Sequence, residues 1–183
     1  MSTEQHIYCI FCETQRAEAI AGLINQVLPV RCISPKIVQR YWKQGREEHR
    51  IHQYLPGYLF MFSEEPIESF RDIFRFDGVL RVLGDNENGN ELEGSDRIFA
   101  QMLRDMDGTL GIMKAVQEGD QVRLAGELYH GFTGEIVRLD KRKGRAQIRF
   151  GFDGHVQNVW VGYDLIRPSS EDRNPAAKAG ETD

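Results

Sequence analysis

The second half of the chain restricts the possible folds most, because from Glu118 onward short runs of alternating apolar and polar residues are separated by glycine-containing turns. This alternation predicts short strands at residues 122–124, 135–139, 146–150, 156–161 and, briefly, 165–166. A stretch of about fifty residues built in this way is typical of a small closed all-β barrel. Pro168 ends the pattern, and residues 169–183 lack aromatic and β-branched apolar residues, which predicts a disordered tail.

The first half mixes strand and helix patterns. Apolar runs predict four strands, at residues 7–11, 30–38, 54–62 and 79–83. Helical spacing of apolar residues predicts one helix capped by Thr14, one that starts near Glu64 and one capped by Asp96. The residues expected to face inward are Ile20, Leu23, Ile24, Val27 and Leu28 in the first helix, Ile67, Phe70, Ile73 and Phe74 in the second, and Ile98, Phe99, Met102, Leu103 and Met106 in the third.

This order of elements predicts an α+β domain, an antiparallel sheet with packed helices, over residues 1–110. Residues 39–53 are strongly charged, with Gly45 near their middle, and predict an exposed hairpin tip between two strands. Residues 111–115 are expected to be a linker, followed by the small barrel over residues 116–168.

Charge and composition limit the kinds of partner. The net charge is −5, but residues 111–168 sum to +2, so any basic surface for nucleic acid must be local. The chain has no apolar run of about eighteen residues and no secretory signal, and three cysteines suit a reducing compartment. These features predict a cytoplasmic protein that does not contact membranes.

Motifs for catalysis or metal binding are weak. Cys9 and Cys12 form a lone CxxC on a predicted strand, where residues three apart point to opposite faces and would not share one ion. The sequence contains no GxxxxGK[ST] motif and no strand followed by GxGxxG. We therefore expect no enzyme activity, no catalytic residue, no metal site and no cofactor.

The third predicted strand carries an unusual aromatic face. Tyr54, Pro56 and Tyr58 would share one face, and with Tyr8 and Phe74 nearby they would form an apolar patch for a partner helix. Burial of both faces of the strand fits the same composition equally well.

Two short segments combine several cations. The predicted hairpin tip interleaves Arg40, Lys43 and Arg46 with aromatic residues, a combination that suits stacking on unpaired bases together with phosphate contacts. The second segment is a turn that suits a phosphate backbone. Ordinary solvated turns remain the alternative for both. The residues of the two candidate surfaces are Arg40, Trp42, Lys43 and Arg46 in the first, and Arg138, Lys141, Arg142, Lys143, Arg145 and Arg149 in the second.

Residues 6–167 resemble the NusG family of transcription factors. The resemblance is carried by Ile7-Tyr8, Pro35, residues 55–60 (LPGYLF), residues 78–80 (GVL), residues 119–123 (GDQVR) and residues 131–134 (GFTG). Residues 139–146 (LDKRKGRA) resemble most closely the specialised LoaP-type paralogues, which are operon-specific antiterminators. The chain departs from the family pattern at Ile7, where a tryptophan is usual, at residues 15–17 and at residues 126–127.

The resemblance implies a polymerase-binding N-terminal (NGN) domain followed by a KOW barrel of the SH3-like type. It implies that the first domain binds the clamp helices of RNA polymerase and so suppresses pausing and termination, while the KOW barrel contacts an RNA hairpin or a DNA element. The residues implied to contact polymerase are Tyr8, Tyr54, Leu55, Pro56, Tyr58 and Phe74. Other elongation factors are further possible partners, and the protein is expected to be a monomer.

Two other interpretations stay open. The chain could be a general elongation factor whose KOW barrel binds Rho or a ribosomal protein. It could also be a KOW-containing ribosome-associated protein or an enzyme with an unrecognised site. A basic face on the barrel favours the specialised antiterminator over the general factor.

Overall fold

The computed structural model describes residues 5–84, 89–118, 121–125 and 134–166, with only the backbone described at 117–118 and 121–125. Residues 131–133 of the resemblance motif at 131–134, the first two residues of the motif at 119–123 and the predicted tail at 169–183 lie outside the described residues.

An antiparallel sheet forms the centre of the N-terminal half. Its four strands are β1 (His6–Cys12), β2 (Arg31–Ile33), β5 (Tyr58–Ser63) and β6 (Val79–Val82), in the order β2-β5-β1-β6. Because side chains alternate along β1, Tyr8 and Ile10 enter one hydrophobic cluster whereas Ile7 and Cys9 enter another on the opposite face. Both faces of this sheet are therefore covered.

The first helix, α1 (Ala17–Val27), covers one face of the sheet. It follows a short 3₁₀ turn at Thr14–Arg16, so Thr14 lies one turn ahead of α1 and does not cap it. The helix buries Ala17, Ile20, Ala21 and Ile24. The expectation that Leu23 and Val27 face inward is wrong, since these side chains are 49% and 66% exposed.

A hairpin is confirmed in this region, but its tip is much shorter than the expected residues 39–53, which are mostly strand. β3 (Lys36–Lys43) pairs with β4 (Arg46–Gln53) through a turn in which Gln44 and Gly45 both have positive φ, 51° and 76°, as tight hairpin turns require. The predicted second strand is split at Pro35 into β2 and β3, which belong to different sheets. A third strand, β7 (Thr109–Leu110), lies parallel to β3.

Two predictions between residues 54 and 76 are wrong. The third strand begins only at Tyr58, because residues 54–57 form a turn closed by the Tyr58 N–H, which donates to the Leu55 carbonyl at 3.1 Å. The helix expected from Glu64 is absent from this stretch apart from one 3₁₀ turn at Ile73–Arg75. The Ile67 N–H there donates to the Tyr8 hydroxyl at 2.9 Å, and Phe70 packs edge-on against that ring.

Five strands form the C-terminal sheet, which is defined here as β8 to β12. They are β8 (Met113–Glu118), β9 (Gln121–Ala125), β10 (Glu135–Asp140), β11 (Arg145–Phe152) and β12 (His155–Ile166), in the order β10-β11-β12-β8-β9. The expected brief strand at 165–166 is the end of β12, and it pairs in parallel with β8. β8 begins inside the segment expected to be a linker.

The second helix, α2 (Gly94–Asp105), lies against both halves of the molecule. It buries Phe99, Ala100, Met102 and Leu103, whereas Ile98 is 39% exposed, contrary to expectation. Asp96 lies in the first turn of α2 and does not cap it. The core of the N-terminal sheet continues through Phe99 into residues of β11 and β12, so that one hydrophobic cluster joins the two halves.

Candidate functional site

An aromatic junction lies where β11 meets the N-terminal half. Phe150 stacks on Tyr54 with centroids 5.9 Å apart, and it stacks on Phe99 at 5.3 Å. Phe152 packs against Tyr58 and Phe60, each at 5.3 Å. Sequence reasoning missed the two β11 phenylalanines because their alternation fits the inside of a barrel equally well.

A polar cluster centred on Asp153 borders the aromatic junction. The Asp153 carboxylate pairs with Arg81 and accepts a hydrogen bond from the Tyr58 hydroxyl at 3.3 Å. The Asp153 backbone N–H donates to the Asp96 carboxylate at 3.0 Å. Three elements of the N-terminal half therefore bind the two-residue turn between β11 and β12.

The Asp153 cluster shifts the pKa of its neighbours. Burial raises the pKa of Asp96 above its ordinary value, and the nearby Asp153 charge adds to this effect although the N–H bond opposes it. The hydrogen bond to Asp153 raises the pKa of Arg81, which holds this guanidinium in its charged form. Burial also raises the pKa of Tyr58, so its hydroxyl remains a donor at neutral pH.

The six residues implied to contact polymerase do not form one exposed patch. Tyr8 is 1% exposed and belongs to the cluster on the α1 side of the sheet. Tyr54 and Leu55 are buried on the other side, and Tyr58 is half-buried between Phe11 and Phe152. Pro56 and Phe74 are exposed. The expectation of a single face failed because the turn at 54–57 breaks the alternation and Phe150 covers Tyr54.

The middle of the hairpin is attached to the C-terminal sheet. Arg40 pairs with Glu47 on β4 at 3.0 Å and with Asp164 on β12 at 2.6 Å, and its side chain is only 12% exposed. The Gln39 side-chain amide donates to the Trp160 carbonyl at 3.2 Å. Beyond these contacts Trp42, Lys43 and Arg46 reach the exposed tip.

The second basic segment is the turn between β10 and β11. Lys141, Arg142 and Lys143 are exposed and have no ion-pair partner among the described residues. Arg145 pairs with Asp140 at 3.2 Å and lies over the Trp160 ring, 4.5 Å from its centroid. Arg138 lies 5.9 Å from the same centroid. Arg149 is exposed on β11, opposite Glu135.

The two basic segments, expected as separate surfaces, face each other across a cleft. This interdomain cleft has a volume of about 570 Å³ and is lined by Arg40 and Trp42 from the hairpin, Arg142 and Lys143 from the turn, and Trp160 from β12. Sequence reasoning did not single out Trp160. The sequence did hold one signal: Trp160 alternates with Asn158 and Gly162, so these three residues share one face of a strand that lies close to the cationic turn.

The three cysteines are buried free thiols. Cys9 and Cys12 belong to different hydrophobic clusters, as the strand periodicity predicts. Burial raises the pKa of Cys12 to about 11 and that of Cys32 to about 12, so both remain neutral thiols near pH 7. No three His, Cys, Asp or Glu side chains of the described residues are grouped to hold a metal ion. The described helices are all too short or too polar to cross a membrane.

The architecture is that of a NusG-like fold, an antiparallel sheet flanked by helices and followed by a small C-terminal sheet. Among solved structures, the chain matches one described as "Domain interaction in Thermotoga maritima NusG" with a TM-score of 0.51 and 14% identity. The match covers 87% of this chain and 94% of that one.

One curated protein is also similar to this chain in sequence. The chain is 22% identical over 156 residues to "Transcription termination/antitermination protein NusG" of Thermus thermophilus, over 79% of this chain and 83% of that protein. No family model matches the chain. The sequence comparison and the structure comparison thus each find a similarity to a NusG protein.

Proposed function

We propose that this protein is a NusG-like transcription factor that binds RNA polymerase in the cytoplasm and suppresses pausing and termination without catalysing a reaction. The observation that carries the proposal is the similarity to NusG over most of both chains in sequence and in fold. The finer proposal is a specialised, LoaP-type antiterminator that works as a monomer and is recruited through nucleic acid by a KOW-type C-terminal barrel.

The aromatic junction provides the proposed polymerase-binding face. Tyr54, Leu55 and Tyr58 present large apolar side chains next to the exposed Pro56, and aromatic anchors of this kind dominate binding energy in many interfaces. Phe150 and Phe152 cover this face in the structure. A clamp helix would have to displace the C-terminal sheet in order to reach it, so polymerase would select the open form. The T. maritima structure is likewise described as a domain interaction.

The cationic turn supports recruitment through nucleic acid. Lys141, Arg142 and Lys143 are exposed without carboxylate partners in the described chain, and such cations are available to phosphates. A general factor that binds Rho or a ribosomal protein through this domain is the second candidate. It would not need three adjacent unpaired cations at this turn.

The test of polymerase action is an elongation assay with purified polymerase on a template that holds one pause site and one intrinsic terminator. Saturating protein should shorten the pause and increase readthrough. Tyr58→Ala removes an aromatic anchor, which contributes on the order of 2 kcal/mol, but it also removes a contact with the covering sheet. Compared in the Asp153→Asn background, where that sheet is already loosened, Tyr58→Ala should weaken polymerase binding about thirtyfold or more. Asp153→Asn should strengthen binding, because it loosens the covering sheet. Unchanged pausing at saturation would overturn the proposal.

The specialised role is tested with templates that differ only in their leader sequence. Readthrough that depends on one leader and is lost in Arg142→Glu/Lys143→Glu, with polymerase binding retained, supports the antiterminator. Equal readthrough on all leaders, insensitive to these substitutions, supports the general factor.

A further inference from the structure

We infer that the interdomain cleft is a single binding site for an unpaired nucleic-acid strand, formed jointly by the β3–β4 hairpin and the C-terminal sheet. The inference rests on the proposed nucleic-acid role of the cationic turn and specifies the ligand of that turn as single-stranded. It differs from two independent contacts, one on each half of the molecule, because neither half alone encloses the cleft.

The cleft supplies the two kinds of group that unpaired strands require. Trp42 is 57% exposed on one wall, and an open indole ring is a stacking surface that every base can use. Arg142 and Lys143 lie on the other wall, exposed and unpaired within the described chain, where they can reach phosphates. A volume of about 570 Å³ lies within the range of about 300–1,000 Å³ that is usual for small-molecule sites.

The remaining charged groups of the cleft hold its walls in place. Arg40 is neutralised by Glu47 and Asp164, and these pairs join the hairpin to β12. Arg145 is paired with Asp140 and held over the Trp160 ring. Lys141, Arg142 and Lys143 make no ion pair within the described turn and are exposed, although the Lys143 charge also acts on the nearby Asp140 carboxylate.

The shape of the site favours a strand over a free nucleotide. A second cavity of about 370 Å³ adjoins the cleft and shares Arg142, Arg145 and Trp160 with it. Arg138 and Lys141 line this second cavity. The two cavities share one wall, and together they place cations beside Trp42 and Trp160, an arrangement that accommodates successive nucleotides of a chain.

The test measures binding of the full-length protein to a labelled oligo(dT) and to an oligo(U) of equal length, without polymerase and over a salt series. Trp42→Ala should weaken binding about 5- to 150-fold, and Trp42→Phe should restore most of it. Arg142→Glu/Lys143→Glu should lower the log–log salt slope by about 1.4, since each contact with a single strand contributes about 0.7. Arg71→Glu/Arg75→Glu, an equal charge change at exposed arginines outside the cleft, is the matched control.

Further measurements separate one joint site from other arrangements. A joint site predicts one strand per protein and a non-additive effect when Trp42→Ala is combined with Arg142→Glu. Two strands per protein with additive effects would overturn the joint site. Mononucleotide binding as tight as that of the oligonucleotides would overturn the strand in favour of a free nucleotide. Tighter binding of oligo(dT) would identify the bound strand as DNA, and tighter binding of oligo(U) would identify it as RNA. Both outcomes support the site.

This experiment is independent of the polymerase assay. If the protein binds the strand but leaves pausing unchanged, the cleft proposal stands and the polymerase proposal is refuted. A protein that changes pausing but binds no strand, or loses no affinity in the cleft variants, refutes the cleft alone.

Discussion

Phe99 of α2 and Phe150 of β11 stack with their ring centroids 5.3 Å apart and their planes inclined by 25°, although they belong to different halves of the molecule. The contact places β11 against the N-terminal core. The same hydrophobic cluster therefore stabilises the C-terminal sheet and buries Tyr54.

We predict that Phe152→Ala destabilises the protein by about 3–5 kcal/mol, the usual cost of removing a fully buried phenylalanine. Phe152 is 1% exposed and contacts Tyr58, Phe60 and Phe99. The free energy of unfolding in urea is the measurement. Val156→Ala on the neighbouring strand is the control, because Val156 is 66% exposed and its truncation should change stability by less than about 0.5 kcal/mol. Equal effects of the two substitutions would show that Phe152 is not packed as described.

Gly57→Ala is expected to cost more than Gly45→Ala, although both glycines have positive φ, 88° and 76°. A Cβ at Gly57 would lie 2.8 Å from the Cys12 carbonyl oxygen, whereas one at Gly45 meets nothing within 4 Å. Gly45→Ala should cost about 1–2 kcal/mol for its left-handed backbone alone. Gly57→Ala should exceed that value, and thermal unfolding of both variants checks the order. Similar melting temperatures would contradict the close approach at Cys12.

Arg81→Gln should destabilise the contact between the halves by about 1 kcal/mol, because Arg81 pairs with an Asp153 carboxylate that is only 16% exposed. Arg75→Gln is the matched control. Arg75 pairs with Asp72, but those side chains are 80% and 62% exposed, so its loss should cost less than about 0.5 kcal/mol. Hydrogen exchange of the β11 and β12 amides reports the difference. Faster exchange in both variants alike would argue against a specific role for Arg81.

Asp96 should make stability depend on pH in a defined direction. Burial raises its pKa in the folded protein above the ordinary 3.8, so the unfolded chain ionises first as pH rises. The resulting penalty is absent below pH 3.8, grows as pH rises toward the folded pKa, and is complete above it. Asp96→Asn keeps an acceptor for the Asp153 N–H and removes the charge. Its stability relative to wild type should therefore increase with pH and level off towards neutrality.

Urea unfolding of wild type and Asp96→Asn between about pH 4 and pH 7 measures this trend. Glu68→Gln, at an exposed carboxylate, is the control for the general effect of removing one negative charge. A stability difference for Asp96→Asn that falls as pH rises would have the wrong sign and would refute the buried-carboxylate explanation.

Local signals in the sequence were sufficient where the determining contacts are local. The β3–β4 hairpin followed from the charged composition of residues 39–53 and from Gly45, and most of the interior of α2 followed from apolar residues at helical spacing. The segment after Ser63 shows why such spacing can mislead. Its apolar residues Ile67, Phe70 and Ile73 pack against the sheet without a helix, and the Tyr8 hydroxyl accepts a backbone N–H that a helix would otherwise use.

The candidate site depended on contacts between the halves, which the sequence did not reveal. Phe150 and Phe152 are alternate residues of a strand, as the inward-facing residues of a barrel would be. The alternation shows that they share a face but not which part of the molecule packs on that face. The two basic segments were recognised from composition. Their approach across the interdomain cleft depends on the ion pair between Arg40 and Asp164, and these residues are far apart in the sequence.

The short strand β7 sets how far the C-terminal sheet can travel. β7 is hydrogen-bonded to β3, and only Gly111 and Ile112 separate it from β8. Two extended residues span at most about 7 Å, so this tether keeps a released sheet at a high effective concentration next to the face it covers. Any partner that binds Tyr54 and Tyr58 therefore competes with the C-terminal sheet of the same molecule. Separation of β7 from β3 would lengthen the tether. Because β3 also carries Arg40 and Trp42, a ligand in the cleft can change the free energy of that separation.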